Sequence, residues 1–169
     1  MSLENYLLIA MHAWAPVAQH AYVEDPVITE TRYLAIATDV ASVALDPDEA
    51  PLFDGEDGRL RTAVLILSVA SSESGGFRGD VAFCRRAGDG GRAWGLYQSH
   101  RSTERVCSSV REATRVALSD LRGSMAMCKH EAEDVRLAAY ASGSCTRGWF
   151  AARQRWTRAR DWVRTHAPS

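Results

Sequence analysis

The chain has 169 residues, 46% of them hydrophobic, which suits one globular domain able to bury a core. Twenty basic and 21 acidic side chains leave a formal charge of −1, which argues against a dedicated nucleic-acid binder. No stretch stays apolar over the ~20 residues a membrane helix requires, so no membrane span is expected.

In chain order, residues 4–14 predict a short helix that ends before Pro16. The apolar run Leu7 to Met11 has no basic residue before Arg32, so it is not read as a secretory signal. From Thr29 to Leu45, Leu34, Ala35, Ile36, Val40, Val43 and Ala44 follow helical spacing, and Asp46-Pro47-Asp48 stops the pattern. The segment from Asp46 to Gly58 reads as a loop whose acids form a solvated face. Residues 1–60 hold eleven acids against Arg32 and Arg59, whereas the last predicted helix is strongly basic.

The run from Thr62 to Ala70 is apolar on nearly every side and predicts a helix buried in the core. Gly75-Gly76 stops it, which leaves Glu73 in the last turn. A carboxylate there faces the negative end of the helix dipole and poor solvation, and both raise its pKa. That makes Glu73 a candidate general acid, against the alternative of a solvated side chain at a frayed helix end. Gly79, Gly88, Gly90 and Gly91 then predict irregular structure with a small hairpin, for which Asp89-Gly90 is a common turn dipeptide.

A helix is expected from about Ser108 to Arg122, with Met125 and Met127 filling core gaps, and another from Glu131 to Ala141 that carries Tyr140. The last, roughly Thr146 to Thr165, also carries Phe150 and is read with Trp149, Trp156 and Trp162 inward, and Arg147, Arg153, Arg155, Arg158, Arg160 and Arg164 in solvent. His12, His20, His100, His130 and His166 show no metal-ligand spacing, so neither metal nor cofactor is expected. Cys84, Cys107, Cys128 and Cys145 permit two disulfides in any of three pairings, or four reduced thiols. The pair Cys128 with Cys145, flanking the helix of Tyr140, is favoured.

Three motifs occur in order: Glu73-Ser74-Gly75, Gly95-Leu96-Tyr97-Gln98, and Leu137-Ala138-Ala139-Tyr140-Ala141-Ser142-Gly143. Together they resemble the lysozyme-like superfamily, in its goose-type lysozyme and soluble lytic transglycosylase branch. The resemblance covers roughly residues 58–149. It implies a mainly α, single-domain lysozyme-like fold with an irregular or hairpin region beside a saccharide cleft. Residues 1–57 then form an N-terminal helical extension, residues 58–149 a catalytic core and residues 150–169 a basic C-terminal helix.

What the resemblance implies about chemistry is a peptidoglycan muramidase acting on the β-1,4 bond between N-acetylmuramic acid and N-acetylglucosamine, with Glu73 as acid. Asp89 falls where goose-type lysozymes keep a water-positioning aspartate. His100 stands in place of a second aspartate, Tyr97 in place of a methionine, and Ala141 in place of an asparagine. Trp94, Tyr97, Gln98, His100 and Tyr140 are the expected sugar contacts. Two alternatives stay open: a lytic transglycosylase using Glu73 alone, and a lysozyme-fold wall-binding or virion protein without turnover. The partner expected is the glycan strand at the bacterial wall. Without a signal of its own, the chain reads as a bacteriophage product carried in a virion or released by another protein, or as a mature chain whose leader has been removed.

Overall fold

The computed structural model describes residues 1–166, and within them eight α-helices run in chain order. They are α1 (Leu3–Trp14), α2 (Pro26–Leu45), α3 (Gly58–Glu73), α4 (Gly79–Ala82), α5 (Thr103–Val106), α6 (Val110–Met127), α7 (Ala138–Ser142) and α8 (Trp149–His166). The apolar run is α3, and every residue from Thr62 to Ser71 on it is buried. A helix apolar on all sides needs neighbours on all sides, and α1, α2, α6 and α8 supply them. Leu65, Ile66, Leu67 and Val69 are at most 1% exposed, and burial of such side chains contributes about 1.5–3 kcal/mol each. The first two helices add Tyr6, Leu7, Met11, Tyr33, Ile36 and Val40 to the same core.

Helix boundaries follow side-chain caps. Asp25 accepts from the Val27 amide at 2.7 Å and Pro26 opens the helix, so α2 begins before the predicted Thr29. Ser109 accepts from the Glu112 amide at 3.1 Å and fixes the start of α6. Asp46 and Glu49, read as solvated, instead lie 3.0 Å from Arg115 and Arg122 of α6. No helix among the described residues is long and apolar enough to cross a membrane.

The helix predicted over 131–141 is broken. A 3-10 turn (Glu133–Val135) precedes the short α7. In an unbroken helix the Tyr140 amide would bond to the Arg136 carbonyl four residues back. The Ser124 hydroxyl of α6 stands between them, donating to Arg136 O at 2.8 Å and accepting from Tyr140 N at 2.9 Å. Insertion of a side chain into the ladder is a recognised cause of such breaks.

The predicted hairpin is also absent. Gly88 with Ala93 and Trp94 with Ser99 form isolated antiparallel bridges only. Positive φ at Asp89, Gly90, Gly91, Gly95 and Gln98 takes the backbone out of the β region too often for a ladder to extend.

Both disulfides form within this half of the chain: Cys84 with Cys107, Cα atoms 5.8 Å apart, and Cys128 with Cys145, 5.4 Å apart. Closing loops of these lengths contributes about 3 kcal/mol each in the chain-entropy account.

In α8 the expected division of faces holds for Trp156 and Trp162, which are buried. It fails elsewhere. Trp149 is 48% exposed in the first turn of the helix, which begins only there. Arg155, assigned to solvent, is buried.

Candidate active site

Glu73 ends α3, and the chain after it is tied down within four residues. The buried Ser74 hydroxyl donates to Ala70 O at 2.6 Å and accepts from Phe77 N at 2.8 Å. Gly75, at φ 62°, takes the left-handed cap conformation. Helix α2 and the segment that leads into it, which carry none of the motifs, hold the rest of this turn. His20 Nε2 lies 2.8 Å from Gly76 O and 3.0 Å from the Tyr33 hydroxyl, and Arg32 Nε donates to Phe77 O at 2.9 Å.

The carboxylate faces a cleft of about 930 Å³, within the size range of small-molecule sites. Asp89, Gln98, His100, Asp120 and Tyr140 share its wall with Glu73. Five of the seven site residues read from sequence thus line one cleft. The other two differ. Trp94 is half-buried outside the cleft lining. Tyr97 touches the cleft wall, but its side chain is 2% exposed and its hydroxyl lies 3.0 Å from Thr114 Oγ1, a core position.

Asp89 combines the two roles considered for it. Its φ of 46° makes it a turn residue, and its exposed carboxylate still lines the cleft, 3.1 Å from Arg92 and 3.5 Å from His100. The Gln98 amide donates to Gly95 O at 3.0 Å. Gly95 serves packing rather than ligand approach: at φ 74° a Cβ there would lie 3.2 Å from Val106 O and 3.5 Å from the sulfur of Cys84. Tyr140 donates to the Tyr97 carbonyl at 2.9 Å, which joins α7 to the Gly95–Gln98 turn.

Glu73 has a partner that the sequence reading missed. Arg155 Nη2 lies 2.5 Å from Glu73 Oε1, and its guanidinium sits 5.8 Å from the Tyr140 ring centroid. Burial pushes the Glu73 carboxyl above the usual range, against the opposing pull of Arg155 and His100. Tyr140 is pushed well up, by burial first and by the Glu73 charge second. A signal for Arg155 did exist in the sequence. Ala152, Arg155, Trp156, Ala159 and Trp162 form one stripe at helical spacing, and an arginine inside an apolar stripe implies a buried acceptor.

Because Ser124 bridges the broken ladder beneath Tyr140, Ser124→Ala leaves an amide and a carbonyl without that partner. The expected cost is about 1–3 kcal/mol, read as a lower denaturant midpoint. Change of the same sign but under ~0.5 kcal/mol would mean that α7 simply joins its helix to the preceding turn.

No protein-family model, curated protein or solved structure matches the chain.

Proposed function

We propose that the protein is a lysozyme-like peptidoglycan glycosidase, a muramidase in which Glu73 is the general acid. The observation that carries this reading is a carboxyl group held at the end of a buried helix, raised by burial, and open to a cleft of ligand size. In its protonated form Glu73 gives its proton to the glycosidic oxygen as the bond from that oxygen to the anomeric carbon breaks. Water adds to the anomeric carbon from the opposite face and loses its proton to a base. Asp89 fills that second role, as an exposed carboxylate in the same cleft. Its contacts with Arg92 and His100 orient it, and His100 could pass the proton on to solvent.

Gln98 and Tyr140 shape the wall around Glu73. The two disulfides suit an oxidising compartment, as expected of an enzyme that acts at the bacterial wall.

Mass spectrometry of fragments released from purified peptidoglycan tests the reading. Reducing-end muropeptides are expected, and their loss in Asp89→Asn would assign the base. Anhydro-ended fragments would make the protein a lytic transglycosylase and return Asp89 to a turn residue. Absence of any fragments would leave a wall-binding protein on the same scaffold.

A further inference from the structure

Arg155 is the buried side chain whose environment fits its chemistry least. It is 8% exposed, and its Nε and Nη1 are buried without a hydrogen-bond partner. A guanidinium matches a carboxylate best through two parallel bonds. Here only Nη2 engages, on Oε1 of Glu73. The backbone is not free to improve the fit, because Arg155 O accepts from the Ser68 hydroxyl at 2.9 Å and locks this turn of α8 against α3. One turn further on, Arg158 reaches the hydroxyls of Ser71 and Ser72 at 3.2 and 3.4 Å, so the neighbouring arginine finds acceptors where Arg155 does not. Orphaned donors beside a single strong contact make a pair that is close but easily exchanged.

We propose that Arg155 is the positioning residue of Glu73: it clamps the carboxylate in the free protein and favours its anionic form, and a bound glycan that loosens the pair releases the carboxyl to take up a proton. The inference rests on the reading of Glu73 as the acid. Clamping ties the Glu73 side chain, at the cleft wall, to α8. Loosening the pair removes the counter-charge as sugar fills the site, so that burial then favours the protonated form. The other charged or titratable groups around the pair and its cleft are Tyr140 of α7, Asp89, Tyr97, His100 and Arg101 of the loop between α4 and α5, Asp120 of α6, and Arg158 of α8. None of these hydrogen-bonds to the Glu73 carboxylate; among the described residues Arg155 alone does.

The test uses Arg155→Gln and Arg155→Lys in the full chain, with two readouts. One is the titration midpoint of the Glu73 carboxyl in the free protein, followed by carbon-13 NMR with Glu73→Gln to assign the signal. The other is the pH profile of kcat/KM for peptidoglycan, which reports the free enzyme. With Gln at 155 the midpoint is expected to rise by about one unit or more, and the alkaline limb of the profile to move up with it. Lysine, whose shorter side chain holds its charge farther from Oε1, should raise the midpoint by less, and carries the test if the Gln variant does not fold. An unchanged midpoint in either folded variant overturns the clamp. A purely structural Arg155 would lower turnover equally at every pH and leave the limb in place, which also overturns it. If the wild-type protein turns over no glycan yet the midpoint shifts, the clamp stands and the glycosidase reading fails.

Discussion

Glu73→Gln lowers the release of reducing ends from purified peptidoglycan by about 10²- to 10⁴-fold, the range that a positioned general acid supplies. Glutamine keeps the shape of the side chain and an oxygen that can accept from Arg155 Nη2, so the contact across α3 and α8 persists in kind. What it removes is the titratable proton. Far-ultraviolet circular dichroism should therefore match wild type, which separates loss of chemistry from loss of fold. Wild-type turnover should fall as pH rises through the Glu73 midpoint, because the acid must be protonated and burial sets that midpoint above the ordinary glutamate range. In the Gln variant the residual rate should lose this limb. Undiminished release by Glu73→Gln would take Glu73 out of the acid role altogether.

The parts of this site that were legible in sequence are those fixed by local rules. An apolar run without a polar face has only one place to go, and Gly75-Gly76 can end it only there, so the position of Glu73 followed from composition and cap chemistry. Long helices with strong periodicity, α2 and α6, were likewise predictable to within a few residues at most of their ends. The failures share a different cause. Ser124 breaks the helix of Tyr140 from 16 residues away in the chain, and nothing local to Tyr140 announces it. Tyr97 sits in a motif that suggests a ligand contact, yet its hydroxyl finds Thr114 in the core. Arg155 was counted among solvent-facing cations because charge was weighed before register. Contacts between distant segments decided each case, and each such contact is a hydrogen bond rather than an apolar patch. Binary patterning does not record those.

Glu24→Ala is expected to cost about 3–5 kcal/mol of stability, measured by urea unfolding at neutral pH, although Glu24 lies outside the cleft. Its carboxylate pairs with the Arg32 guanidinium, which is only 2% exposed, and accepts from the Thr29 hydroxyl at 2.7 Å. Removing the acid leaves a buried cation with its charge unanswered, and that penalty, more than the worth of the pair, sets the size of the effect. Burial raises the Glu24 pKa, but the hydrogen bonds from Arg32 and Thr29 outweigh it and hold the carboxyl below the ordinary glutamate range. A carboxyl depressed in the fold stabilises it above the unfolded pKa and loses that contribution as pH falls through the lowered value. The gap between wild type and Glu24→Ala should therefore narrow below about pH 4.5, starting from the unfolded value. The same arginine donates to Phe77 O, four residues beyond Glu73. Freed from Glu24, it no longer fixes that turn, and glycan turnover should fall at temperatures where the variant is still folded. A stability loss under ~1 kcal/mol would place Arg32 and Glu24 with ordinary surface pairs, and the turn after Glu73 would then depend on His20, Tyr33 and Ser74 alone.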